Sequence, residues 1–326
     1  MTEPPFKNRR GGLIFFGIVL ILFGLMAGGM AMLMITTLFL PKAAGQQVLP
    51  VGMLAGSVAM YLTAAAVFFI LGVGSMMPRR WARALIYAIS WMWLITGVLT
   101  SVGLVAMSGS MFATLPEAQA TARPFIIGCM AVICLLFGIT VPLALMLFYR
   151  GPNVRATVES LDPVPRWTDR VPAPVLVFAI WMLFGAVSTL MCTGFYTSFP
   201  VGTVMLRGIT VTALFLIFSA VMFAIAIGSI RLEPAAWWAA LVFLILGAVY
   251  AAVVVPRTDL IGWMEQINPA SDPRQFELLR SMYSGPFFYI WMGVIWAGYL
   301  AFLLYIRRFF VGFHHRDTEI HGEHGV

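Results

Sequence analysis

Residues 11–41, GGLIFFGIVLILFGLMAGGMAMLMITTLFLP, form a stretch without a single charged side chain. A helix of about 20 apolar residues is enough to cross roughly 30 Å of hydrocarbon, so this stretch is long enough to span a membrane. Because Lys7, Arg9 and Arg10 precede it, a secretory signal peptide is the alternative. The apolar core from Leu13 to Leu40 is about twice the length of a signal-peptide core, so a retained first membrane helix is expected.

Seven further charge-free runs of comparable length follow along the chain, at 43–78, 84–116, 124–149, 171–206, 208–230, 234–256 and 281–306. The chain is 61% hydrophobic and only 10% charged, whereas about a quarter of the residues in globular proteins are charged. This composition predicts an all-α integral membrane protein with eight transmembrane helices. The predicted spans are approximately 13–39, 51–77, 84–107, 124–149, 174–196, 203–230, 235–255 and 286–306, with an outer loop at 256–285 and a tail at 311–326.

The basic residues are distributed unevenly between the two predicted sides of the membrane. With the N-terminus in the cytoplasm, 14 of the 20 basic residues lie in cytoplasmic segments. They are Lys7, Arg9, Arg10, Arg79, Arg80, Arg83, Arg150, Arg155, Arg166, Arg170, Arg231, Arg307, Arg308 and Arg316. The positive-inside rule therefore predicts that both termini are cytoplasmic, and it explains the net charge of +7 without nucleic acid as a partner.

Short matching segments recur in the same order in the two halves of the chain. The pairs are Leu22–Gly24 with Leu183–Gly185, Pro50–Gly52 with Pro200–Gly202, Gly74–Ser75 with Gly228–Ser229, Trp81 with Trp238, and Pro124–Phe125 with Pro286–Phe287. They predict a parallel duplication of a four-helix unit, with repeats at 1–150 and 174–310 joined by a cytoplasmic linker at 151–173. Recurrence through shared apolar composition is the other explanation.

Ionisable side chains are almost absent from the predicted span interiors, where such residues usually mark function. No Asp, Glu, Lys or His lies more than about two turns from a predicted membrane edge. The three cysteines form no CxxC pair. We therefore expect no catalytic residues, no metal site and no cofactor, and proton, redox and proteolytic chemistry are disfavoured.

Four residues are candidates for ligand or lipid contact. Arg207 lies near the predicted outer end of the sixth span, where it would bind an anionic group or extend toward the lipid headgroups. Thr140 and Pro142 lie where the proline is expected to kink the fourth span and free backbone carbonyls. Trp291 is one of several deep aromatic residues that would line a pocket, or else simply pack against helices and lipid.

The opening Pro4-Pro5-Phe6-Lys7-Asn8-Arg9-Arg10, followed by Gly12-Leu13-Ile14, resembles the start of a group of bacterial multi-pass membrane proteins with no assigned activity. The resemblance covers the first helix, implies a bacterial inner-membrane location and transfers no functional residue.

Two functions are compatible with these patterns. The first is a non-enzymatic accessory or scaffold protein that interacts with membrane lipids and with other membrane subunits. The alternative is a small-solute or lipid transporter with its site between the two four-helix repeats. An enzyme or a sensor is the less favoured expectation, because groups able to carry out chemistry are scarce within the predicted spans.

Overall fold

The computed structural model of the chain describes residues 6–37, 39, 51–113, 123–193, 198–202, 204–267, 276–277, 279–280, 283 and 286–322. Within these ranges, eight helices are long and apolar enough to cross a membrane. They are Arg10–Thr36, Leu54–Met76, Arg80–Val105, Pro124–Arg150, Ala173–Cys192, Ile209–Ile230, Pro234–Arg257 and Phe288–Phe310. The chain is thus an all-α multi-pass membrane protein, as the sequence predicts.

The helices follow the chain as α1 Arg10–Thr36, α2 Val51–Met76, α3 Arg80–Ala113, α4 Arg123–Ile133, α5 Val141–Arg150, α6 Pro152–Leu161, α7 Trp167–Arg170, α8 Ala173–Cys192, α9 Ile209–Ile230, α10 Pro234–Val249, α11 Leu260–Ile267 and α12 Pro286–Gly322. Large apolar side chains such as Phe15 and Leu25 are about 60% exposed on the spans. Such surfaces are stable only against lipid or another apolar partner.

The chain divides into two compact units. The first contains Met1–Trp93, Val141–Thr197 and Val211–Ile230. Its helices α1 and α2 pack closely because Gly17 and Gly72 have no side chains: a Cβ on Gly72 would lie 2.7 Å from the Gly17 carbonyl oxygen. A buried cluster that includes Leu20, Ile86 and Tyr149 forms the core beneath them.

The segment between the fourth and fifth spans is folded and belongs to this unit. Helix α6 contributes Val154 and Val158 to the buried cluster, and its Thr157 hydroxyl accepts a 3.0 Å hydrogen bond from the Arg9 amide just before α1. The predicted linker at 151–173 is therefore an ordered part of the bundle, because successive turns of α6 place Val154 and Val158 against the core.

The second unit contains Leu94–Thr140, Ser198–Thr210 and Arg231–Val326. Its fourth-span portion includes a π-helix at Cys134–Thr140, and its seventh span includes another at Tyr250–Val254. Each π-helix ends two residues before a proline, Pro142 or Pro256. A proline lacks an N–H and clashes with the carbonyl four residues earlier, and the wider π turn accommodates both effects.

An antiparallel hairpin precedes the sixth span. Strand β1, Ser198–Val201, pairs with β2, Val204–Arg207, so that Ser198 lies opposite Arg207. The helix that follows begins at Ile209 rather than near residue 203. Gly202 and Gly208, both at positive φ, supply the left-handed conformations that favour turns over a continuing helix.

The compact units do not follow the boundaries of the predicted repeats. The first unit contains α8 and most of α9 from the second predicted repeat, and the second unit contains α4 and the C-terminal part of α3 from the first. The duplication is therefore not confirmed and stays a prediction. Most of the predicted outer loop beyond Ile267 lies outside the described residues, as do the last four residues of the tail.

Candidate functional site

A cavity of about 350 Å³ in the first unit is lined by four arginines, Arg80, Arg83, Arg150 and Arg155. Its wall also contains Glu159, Asp169, Thr168, Tyr87 and Tyr149. We call it the arginine cavity. It lies at the membrane edge, because its residues come from the first turns of α3 and α8, the last turn of α5, and the helices α6 and α7. A volume of this size is typical of small-ligand sites.

One face of the first turns of α3 lines the arginine cavity. Arg80, Arg83, Ala84 and Tyr87 all line it, and the spacing i, i+3, i+4, i+7 places residues on one face of a helix. From the sequence, these arginines predicted only the orientation of the chain in the membrane. Their helical spacing at the start of a span, on the side rich in basic residues, is the signal that could have indicated a binding site.

Arg80 holds the linker segment against α3. Its Nε donates to the Asp162 carbonyl oxygen at 2.5 Å, and its backbone amide donates to the Asp162 carboxylate at 3.2 Å. Its guanidinium also lies 3.6 Å from the carboxylate of Asp169. Asp162 is 4% exposed and pairs with Arg166 at 3.5 Å. The Arg80 side chain is therefore engaged in contacts within the protein rather than directed to a ligand.

Arg155 and Glu159 form an ion pair on α6, with 2.7 Å between Nε and Oε1. The hydrogen bond to Glu159, and then the charge of that carboxylate, raise the pKa of Arg155 above its ordinary value. Because the Arg155 side chain is 65% exposed, this pair contributes little to stability. It fixes the position of one positive charge at the mouth of the cavity.

Arg83 differs from these two arginines. Its Nε is buried and has no hydrogen-bond partner among the described residues. The same holds for the Oγ1 of Thr168, in a side chain that is only 3% exposed. Buried polar groups in folded proteins are nearly always hydrogen-bonded, and leaving a charged donor unsatisfied is costly. Both groups line the arginine cavity, so a bound acceptor there would satisfy them.

Tyr149 closes the inner end of the cavity. The Ser75 hydroxyl donates to the Leu13 carbonyl oxygen at 2.8 Å, and 2.5 Å separates it from the Tyr149 hydroxyl. Since the single proton of Ser75 is used on Leu13, Tyr149 donates to Ser75. The hydroxyl of Tyr149 is thus engaged away from the cavity, and the buried donors of the cavity lining that have no partner among the described residues are Arg83 Nε and Thr168 Oγ1.

A second cavity, of about 320 Å³, lies in the second unit beside the hairpin. Its polar groups bind to each other: Thr258 donates to the Val254 carbonyl oxygen at 2.8 Å, and Asp259 accepts from the Gly262 amide at 2.9 Å. The indole of Trp263 donates to the Ser198 carbonyl oxygen at 3.2 Å. With its polar groups occupied in this way, this cavity has less need of a ligand than the arginine cavity.

None of the four residues singled out from the sequence lines either cavity. Arg207 is exposed on β2, and Pro142 is buried in the first turn of α5. The exposed Thr140 ends a π-helix and donates to the Leu135 carbonyl oxygen at 3.0 Å. Trp291 is half-buried in α12. Their role as ligand or lipid contacts stays a prediction.

The described residues contain no group of three His, Cys, Asp or Glu side chains placed to hold a metal ion. The arginine cavity offers guanidinium and hydroxyl donors instead, which suit an anion with several oxygen atoms. No protein-family model, curated protein or solved structure matches the chain. A function is therefore inferred from the geometry of the arginine cavity.

Proposed function

We propose that this multi-pass membrane protein is a non-enzymatic, lipid-interacting protein that binds the anionic headgroup of a membrane lipid in the arginine cavity. The observation that carries the proposal is the buried Nε of Arg83, which has no partner among the described residues. Guanidinium groups match the geometry of phosphate oxygens and bind them through paired hydrogen bonds.

The position of the cavity favours a lipid over a ligand from bulk water. It lies where three spans reach the membrane edge, which is the depth of the headgroup layer. A lipid bound there would leave its acyl chains against the apolar span surfaces, where side chains such as Leu147 are 57% exposed. The local concentration of lipid is far above that of most dissolved anions, so moderate affinity suffices for occupancy.

The absence of enzymatic activity is part of the proposal. Both carboxylates that line the cavity, Glu159 and Asp169, are within 4 Å of an arginine guanidinium, so both already have an ionic partner. The cavity lining includes no His or Cys. The transport alternative can be tested in reconstituted vesicles. A transporter would move solute or lipid across the vesicle membrane, whereas a binding protein would not.

The bacterial inner membrane and cytoplasmic termini are proposed on the charge distribution. The cytoplasmic leaflet carries a negative surface potential that attracts basic segments, and the arginine cavity would then face it. A single cysteine introduced as Arg155→Cys, with the native cysteines replaced, should react with an impermeant thiol reagent only after the cells are opened. Labelling of intact cells would contradict this orientation.

The lipid proposal predicts that anionic lipid stabilises the protein through Arg83. Adding phosphatidylglycerol to the detergent-purified chain should raise its Tm, whereas zwitterionic phosphatidylcholine should not. In Arg83→Gln this stabilisation should be largely lost, because a charge-assisted hydrogen bond contributes about 1.5–3 kcal/mol. Without lipid, Arg83→Gln should be at least as stable as the native protein, since the change removes a charged group whose buried Nε has no partner among the described residues.

Arg79→Gln is the matched control, because it makes the same charge change one residue before α3 at an exposed position that does not line the cavity. It should keep the full response to phosphatidylglycerol. If Arg83→Gln responded to the lipid as strongly as Arg79→Gln, ordered water rather than lipid would be the better account of the unpartnered donors.

A further inference from the structure

The charges that line the arginine cavity do not cancel. The excess of positive charge indicates how much negative charge the ligand should carry. Four arginines and two carboxylates line the cavity. Arg155 is paired with Glu159 at 2.7 Å, and Arg80 with Asp169 at 3.6 Å. Arg83 and Arg150 form no ion pair with a described residue. Glu159 and Asp169 also act on Arg83 at longer range, so the charge left for the ligand is the net charge of the lining, +2 from four arginines and two carboxylates.

The two arginines that form no ion pair with a described residue enter the cavity from different elements. Arg83 is in the first turn of α3, with its Nε buried, and Arg150 is the last residue of α5 and is exposed. One charge is thus inside the cavity and the other at its mouth. Thr168, on α7, adds a buried hydroxyl that can donate to an oxygen atom or accept a proton from one.

A headgroup phosphate can carry either one or two negative charges. A phosphodiester has one, whereas a phosphomonoester carries about −1.5 to −2 near neutral pH and has three acceptor oxygens, with a second pKa of about 6. Two guanidinium charges and one hydroxyl match the monoester in both charge and number of contacts. A diester would leave one of the two guanidinium groups without an ionic partner.

We propose that the arginine cavity is selective for a phosphomonoester, recognised by Arg83, Arg150 and Thr168. This inference depends on the proposed function, because it names the headgroup class for the same site. The same chemistry occurs in two sources, a lipid whose headgroup is a terminal phosphate and a soluble phosphomonoester, so the test includes one of each.

The preference for a phosphomonoester over a phosphodiester should depend on pH, because the phosphomonoester itself gains a proton as the pH falls. The arginines stay protonated throughout, and the tyrosines that face the ligand are Tyr87 and Tyr149, the latter bound to Ser75. When the pH falls below the second pKa of the monoester, the ligand loses about one charge and its advantage over a diester should disappear. Phosphatidylglycerol has no such step, so it reports any effect of pH on the carboxylates Glu159 and Asp169.

The test measures Tm of the full chain in mild detergent with titrated phosphatidic acid, phosphatidylglycerol or glycerol 3-phosphate, at about pH 8 and about pH 5. At the higher pH, phosphatidic acid should bind about tenfold more tightly than phosphatidylglycerol, and at the lower pH the two should converge. Arg150→Gln should reduce the preference to about that of the diester, and Arg79→Gln should keep it.

The outcomes separate the two proposals. Equal binding of the two lipids at the higher pH would overturn monoester selectivity and leave anionic lipid binding intact. If glycerol 3-phosphate alone stabilised the protein, monoester recognition would hold and the lipid source would be wrong. If none of the three ligands had an effect, both proposals would fail.

Discussion

Replacing Asp162 by alanine is expected to lower the free energy of unfolding by about 2–3 kcal/mol, because a hydrogen bond to a charged group contributes about 1.5–3 kcal/mol and this carboxylate is almost completely buried. The carboxylate accepts the Arg80 amide at 3.2 Å and lies 3.5 Å from an Arg166 nitrogen, in a residue only 4% exposed. Without the carboxylate, Arg80 still bonds the backbone carbonyl of residue 162 but loses the contact of its own amide. The linker segment that lines the cavity is then less firmly positioned, so stabilisation by lipid should weaken as well.

Two further variants make this result interpretable. Asp162→Asn keeps an oxygen acceptor for the Arg80 amide and should be destabilised less than the alanine variant. Glu233→Ala removes a carboxylate from an exposed pair, 3.6 Å from Arg231 with both side chains at least half exposed, and should cost less than about 1 kcal/mol. Reversible unfolding in mixed micelles gives the free energies. Equal values for Asp162→Ala and Glu233→Ala would contradict a structural role for the buried Asp162 carboxylate.

The second large effect is expected at Gly97, within the second unit. A Cβ at this position would lie 1.9 Å from the carbonyl oxygen of Gly138, and backbone atoms cannot move away as a flexible side chain can. Gly97→Ala must therefore separate α3 from the π-helix, at a cost of about 3 kcal/mol, the upper end of the usual range for overpacked cores.

The reverse substitution should be mild, because a Cβ on Gly138 would lie 3.4 Å from the nearest atom of Gly97, close to an ordinary contact. Gly103→Ala, further along α3, has nothing within 4 Å of the added carbon and should stabilise the helix by up to about 1 kcal/mol. Unfolding of all three variants under the same conditions checks this order. A tolerated Gly97→Ala would show that α3 and the π-helix are not in close contact.

Much of the fold could be predicted because membrane spans have a strong sequence signal. A charge-free run such as residues 11–41 can satisfy its backbone hydrogen bonds in hydrocarbon only as a helix, so eight runs predict eight spans. The hairpin at Ser198–Arg207 could not be predicted in the same way. Its strands are short and mostly apolar, and only Pro200, Arg207 and the glycines Gly202 and Gly208 distinguish the segment from the helix that follows.

The candidate site could not be predicted for a different reason. Charged residues deep inside spans are the usual sequence signal of a site in a membrane protein, whereas the arginine cavity is formed where span ends meet a folded linker. Arg83 and Arg150 are 67 positions apart in the chain, and Thr168 is brought to them by the four-residue helix α7. Such a juxtaposition depends on tertiary packing, which residue spacing does not determine. The candidates Arg207, Thr140, Pro142 and Trp291 were selected by depth and backbone chemistry instead.

The central claim is that the arginine cavity holds an anionic lipid, and native mass spectrometry tests it most directly. The full chain would be released from micelles containing equal amounts of anionic and zwitterionic phospholipid, and the mass of any retained lipid would be measured. The native protein and Arg79→Gln should each retain one anionic lipid, and the double variant Arg83→Gln with Arg150→Gln should retain none. Equal retention of anionic lipid by the native protein and the double variant would contradict the proposed site.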